Sequence, residues 1–320
     1  MKIVREWGRD DLAKVYVVDT GRGLVEMVES LQPPLWREEK WVLIVSTLYG
    51  CPVRCLMCDA GGEYKGKLSA DEILWQIETL VRRRFPSGYV PMKKFKVQFA
   101  RMGEPAFNPA VLDVLRKLPE VLDAPGLLPS ISTIAPTKAG EFLQELRIIK
   151  DELHGHGRFQ LQFSIHTTDP SLRDRLIPVR KWSFEEIAAY GEDFFKEGDR
   201  KITLNFAPAR GYPINPKVLR DYFDPQRFLI KLTPLNPTER VKEEGLKSQI
   251  NPFDSSSWEP LVEGLKGVGY EVLLSIGELD ENLIGSNCGQ YVSQFKGGLA
   301  SFRSYERENT AMRDYFSASC

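Results

Sequence analysis

The sequence contains no hydrophobic run approaching the roughly 20 residues a membrane helix needs. Its opening residues, Met1-Lys-Ile-Val-Arg-Glu-Trp7, lack the apolar stretch of a secretory signal. Both absences lead us to expect a cytoplasmic protein with no membrane partner. Net charge is nearly absent too: 43 Lys and Arg stand against 44 Asp and Glu, giving −1 and no global electrostatic footprint for nucleic acid. Local basic groups at Arg82–Arg84, at Lys93, Lys94 and Lys96, and from Arg173 to Lys181 read as solvated faces. Cysteine is scarce, and five in 320 residues, three of them close together, do not make the even framework of a secreted disulfide scaffold. No repeat of fixed period and no low-complexity segment is present. What is left is an ordinary globular composition, 42% hydrophobic and 27% charged, in a chain long enough for one large domain with appendages or two modest ones.

The few cysteines are not scattered. Cys51, Cys55 and Cys58 lie in Gly50-Cys-Pro-Val-Arg-Cys-Leu-Met-Cys58, a C-x3-C-x2-C spacing. Three thiolates on one loop can hold three irons of a [4Fe–4S] cube and leave the fourth iron free to bind a small molecule. An open coordination position implies chemistry. A structural zinc site would want four Cys or His ligands in paired units. No second pair exists, because Cys288, Cys320, His154, His156 and His166 all lie far along the chain. The spacing favours the cluster, with zinc or plain buried thiols as alternatives.

Residues 12–47 read as β-rich, with Val15–Val18, Leu24–Val28 and Trp41–Val45 separated by a Gly-Arg-Gly turn and the Pro33-Pro34 break. After the cysteine loop, Ser69-Ala-Asp-Glu72 is a capping box opening a helix through about Phe85. From there strands and helices alternate. Strands are expected at Phe95–Phe99, Leu128–Ile134, Phe159–Ile165, Lys201–Phe206, Phe228–Leu232 and Tyr270–Ser275. Helices are expected near 109–118 and 137–150, and after a second capping box at Ser183–Glu186. This alternation predicts an α/β fold with a parallel sheet or barrel, whose chemistry sits in loops after the C-terminal strand ends. The cysteine loop, Gly103-Glu104, Ser132-Thr133, Ser164-Ile-His166 and Asn236 all follow predicted strands and would share one rim. The turn-rich tail from about Gly277 carries Cys288 and is expected to form a loop over that rim.

The cysteine loop resembles that of the radical S-adenosylmethionine (SAM) superfamily. More narrowly, the chain resembles the RlmN and Cfr type of RNA adenine methyltransferases. The resemblance runs in order through Val25–Val28, Gly50–Cys58, Met102–Pro105 with Asn108, Ser130–Thr133, Phe163–His166, Leu172–Pro178, Leu232–Asn236 and Cys288–Gln290. It implies a partial (β/α)6 TIM-type barrel over 48–276, an N-terminal β extension over 1–47 and a C-terminal segment over 277–320 that carries Cys288.

The resemblance also implies two uses of SAM. With Cys51, Cys55 and Cys58 holding the cluster, the methionine end of SAM would chelate the open iron for one-electron cleavage to a 5′-deoxyadenosyl radical. Gly103 and Glu104 would meet the SAM amino end, because a carboxylate opposite an ammonium fixes its orientation. Ser132, Ser164, His166 and Asn236 would bind the remaining polar groups; their bland reading is strand-end capping. Cys288 would accept a methyl group from one SAM as a thiolate, and a second SAM would supply the radical that activates it. The target would be an electrophilic sp2 carbon of adenine. Glu26 matches a position proposed to handle the substrate proton, with an ordinary strand glutamate as the alternative. A reductant such as flavodoxin or ferredoxin is the implied electron donor.

Two departures stand out. Seven residues before Cys51 the resembled family has a cysteine that helps release a covalent adduct, and this chain has Ile44. Cys320 could substitute by pairing with Cys288, although a terminal cysteine is more often incidental. The family also carries a small helical RNA-binding domain before the barrel, whereas here about ten to fifteen residues precede the first predicted strand. RNA, a smaller molecule or a peptide are therefore all carried as substrates. A radical enzyme without methyl transfer and a non-catalytic iron–sulfur or SAM sensor are the competing readings.

Overall fold

The sheet begins with three antiparallel strands. A computed structural model of the chain describes residues 1–277, 279–286 and 292. Strand β1 (Lys2–Arg9) pairs with β2 (Ala13–Asp19), which pairs with β3 (Leu24–Ser30). β1 was not expected from the sequence. Its residues Lys-Ile-Val-Arg-Glu-Trp-Gly-Arg include four charges and none is fully buried, because it is the edge of the sheet and is held by main-chain pairing. Charged edges of this kind discourage pairing with further chains.

The direction then reverses. β3 runs antiparallel to β4 (Trp41–Val45), and from β4 onward every neighbour is parallel. A hairpin of β5 (Leu48–Cys51) and β6 (Gly62–Lys67) brackets the cysteine loop outside the main sheet. Helix α1 (Ala70–Arg84) follows, opened by the expected capping box in which the Glu72 carboxylate accepts from the Ser69 amide at 2.7 Å. The series continues with β7 (Phe95–Phe99), α2 (Ala110–Val121), β8 (Leu127–Thr133), α3 (Gly140–Leu153), β9 (Gln160–Ser164), α4 (Pro170–Leu176) and α5 (Phe184–Phe194). It ends with β10 (Ile202–Phe206), α6 (Pro216–Tyr222), β11 (Phe228–Leu232), α7 (Glu239–Glu243), α8 (Glu259–Gly267), β12 (Val272–Leu274) and α9 (Leu279–Ile284). The sheet order is β1-β2-β3-β4-β7-β8-β9-β10-β11-β12. The architecture is the partial barrel: six strands from β4 to β11 carry the α/β series and the three-residue β12 adds a short edge.

Alternation along the parallel strands separates two faces. One face presents Trp41, Leu43, Val45, Phe95, Val97, Phe99, Phe163, Leu204 and Ile230 to the helical layer, all fully buried in a single core. Trp41 stacks on Phe95 with ring centroids 5.0 Å apart. The opposite face carries Lys96, Gln98, Ser130, Ser132, Gln160, Gln162, Ser164, Thr203, Asn205 and Lys231, and the strand registers align them row by row. Such polarity marks the inner wall as a site lining and not a packed core. No helix among the described residues is long and apolar enough to cross a membrane.

Candidate active site

The cysteine loop is shaped by close backbone contacts. Gly50 precedes Cys51 at φ +72°, and a Cβ there would fall 2.4 Å from the Gly62 carbonyl oxygen across the hairpin. Only glycine fits that approach. Arg54, between the first two cysteines, also takes a left-handed conformation at φ +58°. The Leu56 amide donates to the Leu176 carbonyl at 2.9 Å, which ties the loop to the end of α4. The Thr238 hydroxyl donates to the Met57 carbonyl at 3.2 Å, and the Asp59 carboxylate accepts from the Arg240 amide at 3.0 Å. The loop after β11, which contains Asn236, is thereby docked on the cysteine loop.

The three thiols face a common apolar surround that includes Met57, Ile134, Leu176 and Leu235. Burial pushes the Cys51 thiol up to about 11. It pushes Cys55 well above the ordinary thiol range, with Cys58, Cys51 and Glu104 adding to the effect through their negative charge. Among the described residues, no three His, Cys, Asp or Glu groups gather as they would around a single metal ion.

The other expected residues line the C-terminal ends of the strands. Gly103 takes φ +104°, and a Cβ there would fall 2.5 Å from the Leu48 side chain. Glu104 is buried and already occupied. Its carboxylate accepts from the Thr133 hydroxyl at 2.5 Å, the Ile134 amide at 2.9 Å and the Ala106 amide at 3.0 Å. Burial nevertheless pushes its carboxyl up to about 7. The Glu104 side chain thus ties β7 to β8, a role that spacing alone did not reveal. Ser132 has a buried hydroxyl oxygen with no hydrogen-bond partner. Ser164 ends β9 in register with Asn205 of β10, and Asn205 Oδ1 is likewise buried and unpartnered. His166, at φ +66°, accepts at Nδ1 from the Ala207 amide at 3.1 Å, which leaves the proton on Nε2. Burial lowers its pKa to about 4, with Arg173 adding to the effect, so the ring is a neutral donor.

Relatives can now be set beside this geometry. No family model matches the chain. The dual-specificity RNA methyltransferase RlmN of Wolinella succinogenes is 26% identical over 307 residues, covering 90% of this chain and 83% of that protein. A probable dual-specificity RNA methyltransferase RlmN of a Nocardioides species is 30% identical over 221 residues, 64% of this chain and 56% of that one. The crystal structure of a radical SAM methyltransferase from Sphaerobacter thermophilus matches with a TM-score of 0.68 at 21% identity, over 86% of this chain and 76% of that one. Over most of its length the chain is similar to radical SAM methyltransferases.

The cofactors of such an enzyme are a [4Fe–4S] cluster and SAM, and the residues fit both. Three thiols on one loop in a shared apolar surround, with Cys51 and Cys55 pushed up by burial, are a donor set that an iron cluster would deprotonate and bind. The unpartnered Ser132 and Asn205 atoms on the inner wall give the polar groups of a radical SAM cofactor somewhere to bond, which buried polar atoms ordinarily demand. Asn205 escaped the sequence reading. It sits in the middle of a strand pattern, and only the register beside Ser164 shows where it points.

Glu26 has a partner that the sequence did not show. Glu26 is fully buried on β3, where Arg101 Nε and Nη2 donate to its Oε2 at 3.0 and 2.5 Å. Arg101 was not singled out in the sequence, although it stands two residues before Gly103. Ile44 packs partly buried beside Val28, Leu12 and Ile284. Cys288 and Cys320 lie outside the described residues. Val292 lines a cavity of about 250 Å³ together with Gly50, Gly61 and Met102, which brings the C-terminal segment beside the cysteine loop.

Proposed function

We propose that this radical SAM methyltransferase transfers a methyl group through Cys288 to an electrophilic sp2 carbon, with adenine in RNA as the first substrate to test. The observation that carries the reading is the juxtaposition of Val292, four residues after Cys288, with Gly50 and Met102 at the edge of the cysteine loop. With the cluster bound, SAM supplies a 5′-deoxyadenosyl radical; Cys51, Cys55 and Cys58 would hold the cluster, and Gly103, Ser132, Ser164, His166, Asn205 and Asn236 would orient SAM. RNA as substrate is supported by the names of the curated relatives in Wolinella and Nocardioides. Flavodoxin or ferredoxin would serve as the reductant.

The test is anaerobic reconstitution and reduction, followed by SAM and a pool of unmodified RNA. The wild type should yield S-adenosylhomocysteine, 5′-deoxyadenosine and a methylated Cys288 peptide by mass spectrometry. Cys288→Ala should keep SAM cleavage and lose methyl transfer, while Cys55→Ala should lose both by at least about 100-fold through loss of the cluster. Deoxyadenosine without methylation in the wild type would favour simple hydrogen abstraction. An intact cluster with no SAM cleavage would favour a sensor.

A further inference from the structure

Glu26 and Arg101 do more than pair with one another. Both side chains are almost wholly excluded from water, at 0% and 2% exposure. Besides binding Glu26 Oε2, Arg101 donates from Nη1 to the Ser286 carbonyl at 3.2 Å and from Nη2 to the Gly285 carbonyl at 2.9 Å. Glu26 Oε1 accepts from the Val292 amide at 2.8 Å. One buried pair therefore holds the main chain at both ends of the stretch from Ser286 to Val292. That stretch contains Cys288.

The approach to this clip is also fixed. The Trp7 indole donates to the Ile284 carbonyl at 2.9 Å, Arg9 pairs with Asp280 at 2.6 Å, and the Ser30 hydroxyl meets Glu281 at 3.0 Å. Ile284 is buried against Leu12, Val15 and Val28, with Ile44 packed beside them. β1–β3 are thus a dock for α9, and the clip takes over where α9 ends. Arg101 joins this dock to the rim, since its own amide donates to Val45 at 3.0 Å and its neighbour Met102 accepts from Thr47 at 2.8 Å just before the cysteine loop.

We propose that Glu26 and Arg101 are positioning residues that fix the main chain on either side of Cys288, at Gly285, Ser286 and Val292, the carboxylate serving to hold the guanidinium and the Val292 amide. This rests on the reading of Cys288 as methyl carrier. The chemistry agrees with the placement. A planar guanidinium has enough donors to grip a carboxylate and two carbonyls at once, which lysine cannot reproduce. A carboxylate committed to three protein donors is poorly placed to take a proton from substrate.

Removing one partner alone would strand a buried charge, so the informative protein is the double variant Glu26→Leu/Arg101→Met, in which apolar groups replace both. Each protein is reconstituted with its cluster and checked for iron content and SAM cleavage. Hydrogen exchange of the peptide spanning 285–292 is then followed, together with the rate of Cys288 methylation. Exchange at the Val292 amide should accelerate at least about 100-fold in the double variant, and Cys288 methylation should fall at least about 100-fold while SAM cleavage stays within about threefold. Arg101→Lys should likewise keep iron content and SAM cleavage but not methylation. Wild-type exchange at Val292, or wild-type methylation of Cys288, in the double variant would overturn the proposal. A wild-type enzyme that cleaves SAM and never methylates Cys288 would instead overturn the carrier reading, and the exchange measurement would still decide whether the clip exists.

Discussion

The cysteine loop and the Glu26–Arg101 pair lie at the same end of the barrel and are built in opposite ways. In the loop, three thiols sit in apolar surroundings, and burial disfavours the charged form of Cys51 and Cys55. Nearby, Ser132 and Asn205 keep buried atoms without partners. In the pair, each charge is matched and the remaining valences are taken up by main chain at Gly285, Ser286 and Val292. A fold that leaves polar groups unmatched in one place and over-determines them in another is separating ligand binding from positioning. Unmatched groups stabilise a bound molecule more than they stabilise the chain, whereas matched groups hold the chain itself.

The largest expected effect tests that separation in the metal-free protein. Arg101→Met leaves the Glu26 carboxylate buried without its counter-charge and should cost about 3–5 kcal/mol of stability by urea unfolding. Cys55→Ala should change stability by no more than about 1 kcal/mol in the same metal-free state, because the thiol has no charge to lose there. Equal losses for the two variants would erase the distinction.

This contrast also explains what was legible in the sequence. Ser69-x-x-Glu72 and Ser183-x-x-Glu186 form reciprocal capping boxes as read, because the signal is local and complete in four residues. The cysteine spacing is likewise local, and the three residues share one apolar surround. Arg101 was invisible because its partners lie 75, 184 and 185 residues away and nothing next to it announces them. Glu26 was visible as a carboxylate, but its Arg101 partner was not, so its expected chemistry was drawn without its neighbour. β1 was missed because an edge strand need not alternate apolar and polar residues. Asn205 and Lys231 required strand register before their inward direction could be known.

His166 stands between the two classes, with Nδ1 satisfied by Ala207 and Nε2–H left for the site. Its folded pKa, about 4, lies below the ordinary histidine value of about 6.5. The native state then binds fewer protons than the unfolded chain between those values. The stabilisation is present above about 6.5 and is lost as pH falls through about 4. His166 should contribute a loss of about 3 kcal/mol across that window, and His166→Gln should lose less than wild type by that order. His154, also lowered by burial, titrates in both proteins and cancels in the difference. An identical acid slope in the two proteins would place His166 outside the buried site.

Lys96 gives the smallest effect and the sharpest check on what an unmatched group means away from the rim. It is nine-tenths buried on the inner face of β7, and its pKa is depressed first by burial and then by Lys231, Lys40, Lys94 and Arg200. Since the folded pKa lies below the unfolded value of about 10.5, the native state sheds this proton earlier than the unfolded chain does. Stability should therefore rise with pH through the window that ends near 10.5, and the full penalty should be present below the folded pKa. Lys40, lowered to about 8, adds a slope of the same sign. Lys96→Met should raise stability by about 1 kcal/mol at neutral pH, a gain of about 2 °C in Tm, and should reduce the alkaline rise to the part that Lys40 and Lys94 leave. If Lys96→Met lowers Tm instead, the ammonium is held by partners on the inner wall, and the division between matched and unmatched groups has to be redrawn to include the barrel interior with the clip.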